Sequence, residues 1–71
     1  MNLSEEIELS VVMPCLNESA TVASRVRKAL VSMRQYGIRG EVVVADNGST
    51  DQSRELAEQA GARIVEVETR G

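Results

Sequence analysis

The stretch that decides the fold is a short apolar run that ends in a carboxylate and an Asn-Gly turn: Glu41-Val42-Val43-Val44-Ala45-Asp46-Asn47-Gly48-Ser49-Thr50-Asp51. A valine-rich run of this length is typical of a buried strand, and Asn and Gly are ordinary turn residues. Ser49 and Gln52 match the spacing of a capping box, in which a serine hydroxyl and a glutamine side chain satisfy backbone N–H groups where a helix begins. The stretch therefore predicts a strand, a turn and a helix, with Asp46 at the apex.

The same strand–turn–helix pattern occurs earlier in the chain. Residues 7–13 alternate at first and then become continuously apolar, which predicts a strand of a parallel sheet with helices above it. Pro14 is expected to end this strand, because proline has no N–H to donate to a sheet ladder. The next helix is predicted over residues 19–36, with three polar side chains as N-cap candidates: Asn17, Glu18 and Ser19.

Both predicted helices have one face that is suited to burial. In the first helix, apolar residues recur with a helical period at Val22, Val26, Ala29, Leu30 and Met33. In the second helix, predicted over residues 50–60, the inward face consists of Ser53, Leu56, Ala57 and Ala60. Gly37 and Gly61 follow the two helix ends, where a left-handed backbone favours glycine. Residues 62–67 predict a third strand.

The order βαβαβ with short connections predicts the α/β class and a three-stranded parallel sheet in strand order 3-2-1. Right-handed crossovers that step in the same direction put both helices on one face of the sheet. The other face would then be uncovered, although strands this apolar expect cover on both faces. We therefore expect the 71 residues to be the first half of a larger α/β domain, or to pair with another copy of themselves.

The composition argues against several classes of function. A net charge of −3 with dispersed basic residues disfavours nucleic acid as a partner, and the lack of histidine excludes histidine-dependent nucleophiles and histidine metal ligands. Cys15 is the only cysteine, so no intrachain disulfide can form and a reducing cytoplasmic setting is expected. No apolar run approaches the roughly 20 residues of a membrane span.

Polar residues follow the first two strands, at the sheet edge where open parallel folds bind ligands. If these strands are neighbours, Glu18 and Asp46 lie on one rim, where two carboxylates can accept hydrogen bonds from ring N–H groups or ribose hydroxyls. No glycine-rich phosphate loop occurs, so the site is suited to the nucleoside end of a ligand. Structural interpretations also remain open: an ordinary turn at Asp46, and helix caps at Glu18, Ser49, Asp51 and Gln52.

Two segments resemble one known family. Residues 11–18, VVMPCLNE, are similar to the P-x-x-N-E opening of the family 2 glycosyltransferases, which have the GT-A fold. Residues 43–51, VVADNGSTD, are similar to the D-[DN]-G-S-x-D segment of that family, in the same order and at a matching spacing. The closing Arg70-Gly71 resembles the start of the R-G-x-G-x-A segment in members that act on polyprenyl phosphates, such as dolichol-phosphate mannosyltransferase.

The resemblance implies a partial nucleotide-binding α/β domain over residues 7–71, preceded by a frayed segment over residues 1–6. It implies that the first turn lines the nucleotide pocket through four residues: Pro14, Cys15, Leu16 and Glu18. Of these, Pro14 and its neighbours would act through their backbone, and Glu18 would contact the nucleoside. Read from its residue type alone, Cys15 is a small apolar residue at a strand end, because no histidine can activate its thiol.

The resemblance also implies roles in the second turn. Asp46 would form a hydrogen bond with the base or the ribose, and Asn47 stands where many members have a second aspartate. Gly48 would let the backbone turn tightly. Ser49 and Asp51 would set the start of the helix.

The departures from the family pattern limit what the chain can do alone. The metal-binding D-x-D motif is missing, because Asp46 and Asp51 are the only aspartates. No catalytic or metal-binding residue is therefore predicted within the chain, and the 71 residues alone are expected to be inactive. The complete member would use a divalent metal, Mg or Mn, and a UDP- or GDP-sugar as donor, in the cytoplasm or at the cytoplasmic face of a membrane. The alternative is a non-catalytic α/β module that self-associates through its uncovered face or packs on a partner.

Overall fold

The computed structural model of the chain describes residues 6–68. Five elements follow one another: β1 (Leu9–Cys15), α1 (Val22–Gln35), β2 (Gly40–Asp46), α2 (Ser53–Gln59) and β3 (Arg63–Glu66). The predicted α/β class and the order βαβαβ are confirmed. The predicted frayed terminus, apart from Glu6, and the Arg70-Gly71 pair lie outside the described residues.

The three strands form one parallel sheet in the order β1-β2-β3, as predicted, with the valine-rich β2 in the centre. Cys15 lies opposite Asp46 in the ladder between β1 and β2, and Asp46 lies opposite Glu66 in the ladder between β2 and β3. The last residues of all three strands are therefore aligned at one edge of the sheet. This carboxyl edge carries the turns that the motifs occupy.

The hydrophobic core lies between one face of the sheet and the two helices, which also contact each other. The predicted inward faces of both helices are confirmed. On α1, Val22, Val26 and Met33 are buried, and Ala29 and Leu30 pack against them. On α2, the buried residues are Ser53 and Ala57.

Pro14 does not end the first strand, because β1 continues through Pro14 to Cys15. The reason is the position of β1 at the edge of the sheet. The carbonyl of Cys15 accepts a hydrogen bond from the Asn47 N–H at 2.9 Å, so Cys15 faces β2 and the nitrogen of Pro14 faces the free edge. A missing donor costs nothing there.

Both helices begin three residues later than predicted, and the predicted caps are wrong. Thr21 and Gln52 are the N-cap residues, and neither makes a capping hydrogen bond through its side chain. The carbonyl of Glu18 instead accepts the N–H groups of Thr21 and Val22 at 3.0 and 2.9 Å. Among the side chains expected to cap the helices, those of Asn17, Ser49 and Asp51 join the two turns to each other.

The helix ends agree with the prediction. Gly37 and Gly61 have φ angles of 66° and 113°, in the left-handed region that favours glycine. Neither helix between residues 6 and 68 combines the length and the apolar character needed to cross a bilayer.

The second face of the sheet carries no helix in the described part of the chain, as predicted. Val12 is 63% exposed on this face, with Pro14 beside it and Val65 across the sheet. Next to this apolar area, the Ser10 hydroxyl and the Arg63 guanidinium both donate to Glu41, at 2.6 Å and at 3.2–3.4 Å. The Arg63 hydrogen bonds, helped by Ser10, hold the pKa of Glu41 below its usual range.

Replacing Gly40 with alanine tests how closely α1 packs on the start of β2. A Cβ atom at Gly40 would overlap the thioether of Met33 and lie 3.1 Å from the carbonyl oxygen of Leu9. We expect Gly40→Ala to reduce the free energy of unfolding by about 1–3 kcal/mol, because the core must be overpacked to accept it. Urea denaturation measures this change.

The matched control is the same substitution in a Met33→Ala background, where the overlapping sulfur is absent. There, Gly40→Ala should cost less than it does in the unaltered chain. An equal cost in both backgrounds would contradict the predicted overlap.

Candidate functional site

Two loops meet at the carboxyl edge of the sheet. The first loop, residues 16–21, joins β1 to α1, and the second loop, residues 47–52, joins β2 to α2. Because β1 and β2 are neighbours with Cys15 opposite Asp46, the loops leave the sheet side by side. This is the edge at which open parallel sheets bind ligands.

The carboxylate of Asp46 anchors the second loop. The Asp46 side chain is buried, with 1% of its surface exposed. Its Oδ2 accepts the N–H groups of Gly48 and Ser49 at 3.2 and 3.0 Å, and its Oδ1 accepts the Ser49 hydroxyl at 2.5 Å. A buried carboxylate requires such partners, so Asp46 determines the shape of the Asn47-Gly48 turn.

Arg54 supplies the positive charge beside this buried carboxylate. Its Nε lies 3.8 Å from Asp46 Oδ2, and its Nη1 pairs with Glu66 Oε1 at 2.5 Å, so one guanidinium connects α2 to the ends of β2 and β3. Burial tends to raise the pKa of Asp46, but the Ser49 and Gly48 hydrogen bonds and the charge of Arg54 outweigh it and hold this pKa below its usual range. Asp46 is therefore a charged acceptor at neutral pH.

Three consecutive N–H groups of the first loop donate to side chains of the second loop and of α2. The N–H of Asn17 donates to Ser49 Oγ at 2.9 Å, and that of Glu18 donates to Ser53 Oγ at 2.8 Å. The N–H of Ser19 donates to Asp51 Oδ2 at 3.1 Å. These amides are therefore already paired and do not form an open phosphate-binding nest.

Hydrogen bonds also run in the opposite direction, from the second loop to the first. The N–H groups of Thr50 and Asp51 donate to Asn17 Oδ1 at 2.8 and 3.4 Å. Asn17 has a φ of 52°, a left-handed conformation that asparagine tolerates better than most residues. Five cross-loop hydrogen bonds thus run from backbone N–H groups to the side chains of Asn17, Ser49, Asp51 and Ser53, and we call these five bonds the loop interlock.

The carboxylate of Asp51 is held by groups on both loops. Its Oδ1 accepts the N–H of Ser53 at 2.9 Å and also the Ser53 hydroxyl. The Ser53 hydroxyl is the main cause of a pKa of about 2 for Asp51, with support from the Ser53 and Ser19 N–H groups against the effect of desolvation. Asp51 therefore holds the N–H of Ser53 at the start of α2, in line with its predicted role, and also joins the two loops through Ser19.

The structure does not bring the two predicted carboxylates together as an open acceptor pair. The Glu18 side chain pairs with Arg25 Nη1 at 2.5 Å, whereas both oxygens of Asp46 are used inside the second loop. A direct contact between Asp46 and a nucleoside stays a prediction. The geometry assigns to Asp46 the role of shaping the turn.

Other predicted site residues are accessible at the rim. Leu16 is 52% exposed, and Pro14 and Gly48 are exposed as well. The Asn47 side chain is half-buried and makes no hydrogen bond within residues 6–68, while Cys15 is a buried free thiol below the rim. The rim therefore offers an apolar side chain, an amide and backbone groups to a ligand.

Sequence reasoning missed the structural importance of Ser53 and Arg54. The sequence predicts only that Ser53 lies on the inward face of a helix, and it predicts no role for Arg54. Their position just after the D-N-G-S-T-D segment is the only signal, because the contacts of Ser53 with Glu18 and of Arg54 with Glu66 span 35 and 12 residues. Contacts at such separations do not follow from local spacing.

The described residues do not fit a divalent metal. No group of three metal-ligating side chains occurs among residues 6–68. The carboxylates of Asp46 and Asp51 are occupied by serine hydroxyls and backbone N–H groups. We therefore derive no metal-dependent step from this part of the chain.

Comparison with known proteins identifies relatives of the chain. A family model described as Glycosyl transferase family 2 matches residues 10–71. Over 63 residues the chain is 43% identical to the low-salt glycan biosynthesis hexosyltransferase Agl6 of Haloferax volcanii. The aligned region covers 89% of this chain and 15% of that protein. Over 63 residues it is 38% identical to an undecaprenyl-phosphate 4-deoxy-4-formamido-L-arabinose transferase of Pseudomonas paraeruginosa. This aligned region covers 83% of this chain and 19% of that protein.

A solved structure has the same fold. The chain superimposes with a TM-score of 0.66 and 39% identity on the crystal structure of glucosyl-3-phosphoglycerate synthase from Mycobacterium tuberculosis in complex with Mn²⁺, UDP and glucosyl-3-phosphoglycerate. The match covers 82% of this chain and 20% of that one, so the chain spans about a fifth of the length of this relative. The predicted resemblance to the GT-A fold is confirmed.

The contribution of the loop interlock to stability should fall in acid, and the substitution Asp51→Asn should reduce this fall. The folded-state pKa of Asp51 is about 2, below its ordinary value of 3.8, so between these values the unfolded chain binds more protons than the folded chain. The stability that Asp51 contributes is therefore present above pH 3.8 and is lost as the pH falls towards 2. Asp51→Asn should give a shallower loss of stability over this range, as measured by urea denaturation.

The matched control for this prediction is Glu58→Gln, which removes an exposed carboxylate from the same region of the chain. It should leave the acid slope close to that of the unaltered protein. Some slope should persist in Asp51→Asn, because the pKa of Asp46 is also lowered. Equal slopes for the unaltered chain and Asp51→Asn would contradict the assignment.

Proposed function

The chain belongs to glycosyl transferase family 2, and on this basis we propose that it is the N-terminal nucleotide-binding segment of an enzyme that transfers a sugar from a nucleotide-sugar donor to an acceptor. The observation that carries the proposal is the pair of joined loops at the carboxyl edge of β1 and β2. Open α/β sheets bind nucleotides at this edge. The chain would supply recognition, and the rest of the enzyme would supply the chemistry.

For the ligand we propose a uridine nucleotide-sugar. The solved relative from Mycobacterium tuberculosis contains UDP, which supports this choice over a guanosine nucleotide. The rim has no phosphate loop, and the three N–H groups of the first loop that could hold an anion are already paired. The nucleoside, rather than the diphosphate, is therefore the part of the ligand that this segment is suited to bind.

Each rim residue has a proposed role that follows from its exposure. Leu16 packs against the base or the ribose, and the carboxylate of Glu18, held in place by Arg25, accepts a ribose hydroxyl. Asn47 and Gly48 form the side of the pocket on the second loop, where the Asn47 amide can both donate and accept. Backbone groups of Pro14 and Cys15 complete the rim, while Asp46 maintains the turn that presents Asn47.

The diphosphate and its divalent metal belong to parts of the enzyme that this chain does not contain. The solved relative contains Mn²⁺ together with UDP, which supports a divalent metal in the complete protein. Such an ion would neutralise the charge that develops on the leaving diphosphate. No described residue offers it a site.

For the acceptor we propose a polyprenyl phosphate, as the undecaprenyl-phosphate transferase relative suggests. Glucosyl-3-phosphoglycerate synthase shares the same segment, so selection of the acceptor would lie elsewhere in the enzyme. The proposed location is the cytoplasm or the cytoplasmic face of a membrane. Cys15 is the only cysteine in the sequence, so no intrachain disulfide can form, which supports a reducing compartment.

Titration with UDP in the presence of Mn²⁺ tests the proposed site. We expect chemical-shift changes in the NMR spectrum to be confined to the N–H groups of residues 15–18 and 47–49, because these surround the rim. GDP should cause smaller changes. No change at these positions, or changes spread over α1, would contradict a nucleotide site at this edge.

A titration with inorganic diphosphate and Mn²⁺ is the control for this experiment. It lacks the nucleoside and should leave residues 15–18 and 47–49 unaffected. The same changes with diphosphate as with UDP would mean that the rim binds phosphate and not the nucleoside.

We propose self-association as a second function, since an apolar area lies on the uncovered face of the sheet. Val12 is 63% exposed and Val65 is 38% exposed on this face. An apolar sheet face is usually buried against another layer of protein, and a second copy of the chain would provide that layer. The Glu41–Arg63 pair beside the area would then meet its own counterpart in the partner copy.

Equilibrium sedimentation at micromolar concentration tests self-association. The unaltered chain should form a dimer, and Val12→Lys should be monomeric, because a buried lysine in the interface would lose its hydration. Val31→Lys is the matched control, since Val31 is similarly exposed but lies on α1, away from the open face. A stable monomer of the unaltered chain would contradict this proposal without affecting the nucleotide site.

A further inference from the structure

The loop interlock has a consequence for ligand binding that rests on the proposed nucleotide function. We infer that Asn17 is a positioning residue: through its Oδ1 atom and its left-handed backbone, it joins the two loops into one preformed unit before a nucleotide arrives. Asn17 itself is exposed, and its Oδ1 accepts two N–H groups from the second loop. Its own N–H donates back to Ser49.

The hydrogen bonds between the loops have a defined direction. Each serine hydroxyl accepts a hydrogen bond from an N–H of the first loop and donates its own O–H to a carboxylate: Asn17 N–H to Ser49 to Asp46, and Glu18 N–H to Ser53 to Asp51. Both hydroxyls therefore use a donor and an acceptor function in fixed directions. The two relays end on the carboxylates that shape the second loop, so movement of one loop disrupts the other.

The side chains that form these relays are mostly buried. Asp46, Ser49 and Ser53 are 1%, 4% and 0% exposed, so water cannot replace a lost partner without opening the site. An unpaired polar group in such a position is costly. The loops are consequently expected to be both docked or both open, with few intermediate states.

Few residue types are suited to position 17. The backbone needs a φ of 52°, which glycine, asparagine and aspartate adopt with least strain. The Thr50 and Asp51 N–H groups need a short side-chain acceptor at this place. Asparagine and aspartate meet both requirements, whereas glycine meets only the first.

A preformed pair of loops increases the apparent affinity for the ligand. If only a fraction of the molecules has both loops docked, the apparent dissociation constant rises in inverse proportion to that fraction. Suppose that loss of the Asn17 acceptor leaves about one molecule in ten with both loops docked. The binding of the ligand would then be about tenfold weaker. Asn17 would achieve this effect without touching the ligand.

Two substitutions separate the backbone role of Asn17 from its acceptor role. Asn17→Gly keeps the left-handed backbone and removes Oδ1, and it should weaken binding of uridine about tenfold. Asn17→Asp keeps both features and should bind uridine with an affinity close to that of the unaltered chain. Uridine is the probe, because it has no phosphate charge that could repel a new carboxylate.

Val26→Ala is the control for general loss of stability. Val26 is fully buried on α1 away from the loops, and its truncation destabilises the core by leaving a cavity. At a temperature where Val26→Ala and Asn17→Gly are equally folded, only Asn17→Gly should have weakened uridine binding. Equal weakening in both variants, or none in Asn17→Gly, would overturn the inference.

Amide hydrogen exchange in the ligand-free chain tests the interlock independently of nucleotide binding. Asn17→Gly should accelerate exchange at Thr50 and Asp51, and Ser53→Ala should accelerate exchange at Glu18, which lies 35 residues away in sequence. If the unaltered chain binds no uridine but these exchange effects occur, the proposed function fails and the interlock remains. If exchange is unchanged across the loops, the interlock itself is refuted.

Discussion

The buried carboxylate of Asp46 is the constraint on which the rest of the site depends. A carboxylate with 1% of its surface exposed must have its charge and its lone pairs satisfied by the protein. Two N–H groups, one hydroxyl and a nearby guanidinium meet this need, and they come from the second loop and from α2. The turn after β2 therefore has one favourable arrangement, and the first loop docks against it.

This arrangement explains why both helices lack side-chain caps. Ser49 is a residue type that ordinarily caps a helix, but its hydroxyl accepts the N–H of Asn17 in the neighbouring loop. Asp51 precedes the N-cap residue and divides its oxygens between the N–H of Ser19 in the first loop and the N–H of Ser53 at the start of α2. The helices begin later as a result, and the carbonyl of Glu18 satisfies the N–H groups at the start of α1. The helices lack the stabilisation that side-chain caps would give, and the same side chains instead hold the loops at the carboxyl edge in one geometry. Binding sites commonly need such support from surrounding residues.

The residues at the carboxyl edge fall into two groups with different roles. Carboxylates and hydroxyls that lie inside the interlock maintain its shape, while Leu16, Glu18, Asn47 and Gly48 remain at the surface. The two transferase relatives are several times this length and contain a similar segment. A segment whose polar groups are mostly satisfied internally is suited to serve as a fixed wall of a larger site, to which other parts of an enzyme add the metal and the acceptor.

The sequence by itself determined the order of the elements, the strand order of the sheet and the inward face of each helix, because these follow from local periodicity and the handedness of crossovers. It also located the two loops, through the P-x-x-N-E and D-N-G-S-T-D segments. Only the tertiary structure decided the partners of the polar side chains. Ser49 fits a helix cap equally well by spacing, but it bonds to Asn17, 32 residues away, because parallel pairing of β1 and β2 brings the loops together. Asp46 differs in this respect: its donors Gly48 and Ser49 are local, two and three residues away, and what only the tertiary structure decided is its burial to 1% exposure, which makes it an internal anchor of the turn and not an open acceptor.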